Sequence, residues 1–167
     1  MNAHVISLGG SLVHPEAGID VDFVRNFAEY VGNYARTHHC SFAVVCGGGT
    51  LARKYQLAAR AITPGVENKK LDQIGIAATR LNADLVRVAF DPAITKHCVI
   101  QEPTVPFPRR NKQIVLYGGW KPGFSTDNVA VTIAQRAEIK QVINMTSAHG
   151  VYDCDPKTPG AKLYDII

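Results

Sequence analysis

With 167 residues, 46% of them hydrophobic and 19% charged, the chain is sized for one globular domain, which excludes disordered, fibrous and two-domain organisation. Its net charge of +4 comes from lysines and arginines scattered along the chain, which argues against a nucleic-acid face and suits a small anionic ligand. No stretch approaches the roughly 20 apolar residues of a membrane span, and the first apolar run is broken at once by Gly9-Gly10, so a cytoplasmic protein binding neither membrane nor nucleic acid is expected.

The segments alternate in type. Residues 5–8 form an apolar run entering Gly9-Gly10, the pattern of a buried strand ending in a tight turn. Over 21–36, Phe23, Phe27, Tyr30, Val31 and Tyr34 recur at three- and four-residue steps and predict an amphipathic helix, with Asp20 or Asp22 as its cap. Residues 41–46 predict a second buried strand, and a helix over 50–61 opens on Gly47-Gly48-Gly49. Thr63-Pro64-Gly65 breaks the chain. A helical pattern returns over 71–90, with Ile74, Leu81, Leu85 and Val88 on one side. A short strand is expected at 97–100, followed by a proline-rich connection through Arg109-Arg110. Strands at 114–117 and 142–145 flank a helix over 127–138, the first of them ending in Gly118-Gly119.

Strands that are nearly continuous in apolar residues, alternating with helices, predict an α/β fold with a mostly parallel sheet sandwiched between helices. Cys40, Cys46, Cys98 and Cys154 are widely spaced without a CxxC pair and read as reduced core thiols. His4, His14, His38, His39 and His97 follow no ligand spacing, so no protein-built metal site is expected.

Ligands of parallel sheets bind at the carboxyl ends of the strands. Here the three strongest strands all end in glycines. A glycine turn entering a helix lets backbone N–H groups approach a phosphate, and the helix terminus adds partial positive charge. One such turn is weak evidence; three on one edge are not. Neither GxxxxGK[ST] nor GxGxxG is present, so the common P-loop and dinucleotide-binding fingerprints are excluded. Arg53, on the first turn after Gly49, could reach back to an anion there. On spacing alone, a solvated role like that of Lys54 is equally open.

The segments Ser7-Leu8-Gly9-Gly10-Ser11-Leu12, residues 45–55, Asp72-Gln73-Ile74-Gly75-Ile76, Thr79-Arg80-Leu81-Asn82-Ala83, residues 118–127 and Gly150-Val151-Tyr152 through Asp155-Pro156 resemble the amino acid kinase superfamily, specifically its uridylate (UMP) kinases of archaeal-like type. The resemblance implies a carbamate-kinase-like fold and phosphoryl transfer from ATP to UMP with Mg²⁺, in a homo-oligomer built from dimers, up to a hexamer. It implies that Gly9, Gly10 and Ser11 contact the ATP phosphates, and that Gly48, Gly49 and Arg53 hold the UMP phosphate. Asp72 would accept hydrogen bonds from the ribose. Gly119, Ser125 and Thr126 would line the junction between the nucleotides, and Asp127 would orient a phosphate-handling group or Mg²⁺. Gly10, Ser11, Thr126 and Asp127 are thereby the catalytic set. Tyr152 and Asp155 match the segment packing on the ATP adenosine. Arg80, in mid-helix, could simply cover apolar surface.

Three departures qualify the resemblance. No lysine occurs between Val5 and Leu12, where many superfamily members carry one, although the archaeal-like branch shares the Gly-Gly-Ser form; Lys121 is a candidate substitute cation or a solvated loop lysine. Where the family reads Thr-Asn-Val-Asp-Gly-Val-Tyr, this chain reads Thr146-Ser147-Ala148-His149-Gly150-Val151-Tyr152, exchanging a carboxylate for an imidazole. The sequence is expected to be a single kinase domain, residues 1–167, lacking the family's C-terminal elements. Two other functions stay open at this point: a kinase of a small carboxylate or carbamate, and a non-catalytic oxyanion-binding protein like the molybdenum-storage proteins.

Overall fold

The computed structural model describes residues 2–105, 107, 113–148, 150, 152–154 and 158–164. Its strands are β1 (Ala3–Leu8), β2 (Ser41–Cys46), β3 (Ile114–Tyr117) and β4 (Val142–Met145). Its helices are α1 (Gly10–Val13), α2 (Val21–Thr37), α3 (Gly49–Ile62), α4 (Asn68–Ala89) and α5 (Thr126–Arg136). The strands form one sheet in the order β3-β2-β1-β4, and every pairing is parallel. Parallel pairing puts all the carboxyl ends, with Gly9, Gly47 and Gly118 just beyond three of them, on one edge. From β1 the chain steps outward to β2 and β3; α5 then carries it back across to the far side of β1. The winding therefore reverses between β1 and β4, the kind of crevice where open α/β sheets bind ligands.

The two-residue repeat of the strands divides the core. Ile6, Leu8, Phe42, Val44, Cys46, Ile114 and Leu116 face one way and pack with Val24, Phe27 and Val31 of α2 and Ala83 and Val86 of α4. Val5, Ala43, Val45, Val115 and Tyr117 face the other way, against Val129, Ala130, Ile133 and Ala134 of α5. Each fully buried Leu, Ile or Val in these layers contributes about 1.5–3 kcal/mol of burial. Helices on both faces of a parallel sheet are the predicted architecture.

The elements at 41–46, 114–117 and 142–145 fold as the pattern predicts, and the helices start and stop within a few residues of expectation. Asp20 caps α2, its Oδ1 accepting the Phe23 N–H at 2.8 Å, a bond worth about 1 kcal/mol. Asp22 instead pairs with Arg25 one turn on. The α1 turn at Gly10–Val13 was not anticipated, being too short to show a period.

Four expectations are corrected. The segment at 97–100 is not a strand. Thr95 bridges Ile114 and Ile100 bridges Tyr117, so five steps of chain face three, and the intervening residues loop away from the edge of β3. On α4 the buried side is Leu71, Ala78, Thr79, Asn82, Ala83 and Val86, while Leu81 and Val88 are exposed. The helix is turned so that two polar side chains, Thr79 and Asn82, meet the glycine turns. Tyr30 of α2 is exposed rather than core. Cys40 and Cys46 are buried, whereas Cys98 and Cys154 lie on the surface; all four are free thiols. Burial pushes the Cys46 thiol up to about 12, which keeps it neutral and inert.

Candidate functional site

A cavity of about 450 Å³ opens at the carboxyl edge of the sheet, in the size range of small-molecule sites. It is walled by the start of α3, one face of α4 and the loop from β3 to α5. Gly48, Gly49, Arg53 and Asp72, which the resemblance gives to UMP, line it together with Gly119, Ser125 and Thr126, which it gives to the junction between the nucleotides.

The first and second glycine turns touch. The Gly47 N–H donates to the Leu8 carbonyl at 2.8 Å. A Cβ on Gly10 would overlap the backbone of Gly47 and Gly49, and one on Gly49, whose φ is +58°, would overlap Gly10. Glycine is required at these two positions because one main chain lies directly on another. Arg53 spans the same junction: its Nη2 donates to Thr50 Oγ1 at 3.0 Å and to Ser11 Oγ at 3.3 Å. Its guanidinium therefore stands between α1 and α3 with donors to spare. The first amides of α3 have no acceptor within the helix, and the helix terminus adds partial positive charge. The result is an anion cradle that joins the two turns.

Helix α4 ties the second and third turns together. Asn82 Nδ2 donates to the carbonyls of Gly47 and Gly48 at 2.8 and 3.3 Å. Thr79 Oγ1 donates to the Ile76 carbonyl and accepts the Gly119 N–H, both at 2.6 Å. Arg80 reaches the carbonyls of Gly119 and Trp120 at 3.3–3.4 Å, so it braces the third turn rather than merely covering apolar surface. Asp72, one face up the helix, accepts the Gly123 N–H at 2.9 Å. Since Thr79 takes the Gly119 amide, that residue lines the cavity without offering its N–H to a ligand.

At the third turn Lys121 lines the cavity with its ammonium 4.1 Å from the Trp120 ring and 4.8 Å from that of Phe124. Ser125 caps α5 by accepting the Asn128 N–H at 3.2 Å. Asp127, in the first turn of that helix, accepts a 2.6 Å hydrogen bond from the buried Ser7 hydroxyl at the end of β1. This bond spans 120 residues and fixes one carboxylate oxygen beside the first glycine turn. On the other flank the Gly9 N–H donates to the Met145 carbonyl at 2.8 Å, which pins the turn to β4.

Gly9, Gly10, Ser11 and Asp127 thus sit at the neighbouring end of the same edge without lining the cavity. Tyr152 forms an isolated antiparallel bridge with Leu163 and does not line it either. Asp155 and His149 lie outside the described residues. Among the described residues no group of three or more His, Cys, Asp or Glu side chains could hold a metal. Mg²⁺ usually takes one or two carboxylates plus substrate phosphates, and the single carboxylate of Asp127 fits that role.

Sequence reading gave no role to Gln56, Gly75, Ile76, Thr79, Gly123 or Phe124, which also line the cavity. A signal existed: Asp72, Ile76 and Thr79 are spaced by four and three, which puts them on one face of a helix.

A parallel sheet whose glycine turns gather at one edge, beside a cavity lined by Arg53 and Lys121, is the frame of an α/β domain suited to an anionic ligand. The comparisons specify which. Residues 2–167 match the sequence model of the amino acid kinase family, and the chain belongs to that family. It is 36% identical to the uridylate kinase of Thermoplasma acidophilum over 98% of its own length and 69% of that protein's. It is 37% identical to the uridylate kinase of Thermococcus onnurineus over 98% of its length and 71% of that protein's. The crystal structure of uridylate kinase from Archaeoglobus fulgidus superposes with a TM-score of 0.78 at 36% identity, covering 99% of this chain and 73% of that one.

Proposed function

We propose that this protein transfers the γ-phosphoryl group of ATP to UMP, giving ADP and UDP, a step of pyrimidine nucleotide synthesis. The observation that carries the proposal is the gathering of Gly48, Gly49, Arg53, Asp72, Gly119 and Ser125 around one cavity abutting the first glycine turn. Similarity to archaeal uridylate kinases supports the choice of acceptor.

Phosphoryl transfer needs positioning and charge neutralisation more than covalent chemistry. In this reading the Gly48 and Gly49 amides and the Arg53 guanidinium hold the UMP phosphate, and Asp72 accepts from the ribose hydroxyls. The turn Gly9-Gly10-Ser11 holds the ATP phosphates. A UMP phosphate oxygen attacks the γ-phosphorus, the bond to the β-phosphate oxygen breaks, and ADP leaves. Thr126 and the helix-terminal amides of α5 face the charge that spreads over the transferring oxygens. Asp127, oriented by Ser7, would hold Mg²⁺ against the phosphates. Bound there, the ion supplies charge neutralisation. Tyr152 and Asp155 would pack on the adenosine.

In this reading residues 1–167 all belong to a single kinase domain, of which the relatives' chains span more. It works in the cytoplasm, in keeping with its four free thiols, and as a homo-oligomer built from dimers. Support for the oligomer comes from the exposed apolar side chains Tyr55, Leu57, Ile62 and Leu81 on α3 and α4, which a second copy can bury. Light scattering that returns the monomer mass overturns the oligomer.

A coupled ADP-release assay over nucleoside monophosphates, N-acetylglutamate, aspartate and carbamate tests the activity. UMP turnover with little on the carboxylates is expected. Turnover of a carboxylate or carbamate without UMP, or molybdate binding without any transfer, overturns it.

A further inference from the structure

Asn82, on the sheet-facing side of α4, is a polar side chain with 2% of its surface exposed. Burying an amide is favourable only when its hydrogen bonds are made. This one spends its donor group on two successive carbonyls of the acceptor turn, those of Gly47 and Gly48. In a trans peptide the C=O and the following N–H point in opposite directions. Drawing the Gly47 and Gly48 carbonyls toward the protein interior therefore turns the N–H groups of Gly48 and Gly49 outward. Both residues line the cavity, and neither amide donates to another described residue. The third turn is treated in the opposite way: Thr79 takes the Gly119 N–H itself.

We infer that Asn82 is a positioning residue of the acceptor site, aiming the Gly48 and Gly49 amides at the phosphate of the bound nucleotide. It touches no substrate. Glycine turns are free to flip a peptide plane at little cost, so a flexible turn without this anchor would present a carbonyl to an anion part of the time. Asn82 fixes the plane, and it acts on the phosphate alone, leaving the nucleoside contacts unaffected. The inference rests on the proposal that this cavity takes UMP.

The test separates phosphate from nucleoside. Calorimetry on the full chain compares UMP with uridine for wild type, Asn82→Leu, which removes the donor at similar volume, and Asn82→Ser, which is smaller. Each lost amide–phosphate bond is a hydrogen bond to a charged group, so UMP affinity should fall about tenfold or more. Uridine affinity and the KM for ATP should hold. Parallel loss of UMP and uridine in the variants would show a merely structural side chain and overturn the inference. So would unchanged UMP affinity. Should the variants not fold, amide hydrogen exchange on wild type decides. UMP, and not uridine, should slow exchange at Gly48 and Gly49 and leave Gly119 as it was; no change at Gly48 and Gly49 overturns the inference. Wild type that binds UMP no better than uridine overturns the acceptor assignment itself, which is a distinguishable result.

Discussion

The two halves of the site are held by different means. On the half proposed for the acceptor, at the ends of β2 and β3, one helix supplies the fastening: Asn82 to the second turn, Thr79 and Arg80 to the third, Asp72 to the loop beyond. On the half proposed for the donor, at the ends of β1 and β4, the glycines are tied by backbone, Gly9 to Met145 and Gly10 lying on Gly47 and Gly49, with side-chain bonds only at Ser7 and Ser11 beside them among the described residues. Side-chain fastening makes a site that depends on residue identity at a few helical positions. Backbone fastening makes one that depends on the absence of side chains. The strands mirror this contrast: β3 is wholly buried, whereas no residue of β4 is, and Ile143 keeps 44% of its surface exposed.

The contrast breaks most completely at the contact between the halves. Gly10→Ala puts a methyl group into the backbone of Gly47 and Gly49, which cannot yield as a flexible side chain would. Overpacking costs about 1–3 kcal/mol of stability, and an ångström of separation between the turns costs about a hundredfold in rate. The expected result is a lower melting temperature with kcat for UMP down at least a hundredfold. Wild-type kcat in this variant would mean that the turns are not held in contact during turnover.

Arg53→Ala removes a side chain that bonds Ser11 of the first turn and Thr50 just after the second. A charged hydrogen bond contributes about 1.5–3 kcal/mol, so the KM for UMP should rise roughly ten- to hundredfold, with stability little changed because the side chain is exposed. Arg53→Lys should recover only part of this, since an ammonium cannot donate to Ser11, Thr50 and a phosphate in one plane. If the KM for ATP rises instead, Arg53 belongs to the donor half.

Much of this is legible in the sequence, and the part that is not has a physical reason. Strand β2 and its triple glycine are legible because a strand buried on both faces is written as an unbroken apolar run. The glycine turns are legible because turn residues are local in the chain, whereas the roles of Arg53, Asp72, Gly119 and Ser125 are marked only by the resemblance of their segments to the family. The face of α4 is not legible from hydrophobicity, because Thr79 and Asn82 are buried for their hydrogen bonds to loops some 35 to 40 residues away, which no local period encodes. The close contact of Gly10 and Gly49 is hidden for the same reason. A glycine that admits a phosphate and a glycine that admits another main chain are written with the same letter. Gly10 is taken up by packing, while Gly48 lines the cavity and its amide donates to no other described residue.

The smallest effect concerns the cation at the third turn. With no lysine between Val5 and Leu12, the candidates for positive charge facing the transferring group include Arg53, Lys121 and an ion carried with the nucleotide. Lys121 lines the cavity but is exposed, and its ammonium rests against Trp120 and Phe124. Such a contact contributes about 0.5–1 kcal/mol at an exposed site, and a solvated point charge is screened over about 8 Å at physiological salt. Lys121→Gln should therefore lower kcat/KM for UMP only about threefold, with the deficit shrinking as salt is raised, and Lys121→Arg should be close to wild type. A loss as large as that of Arg53→Ala, falling on kcat rather than KM, would reverse the assignment. Lys121 would then be the cation that replaces the missing first-turn lysine, delivered from the acceptor half to the donor's phosphate.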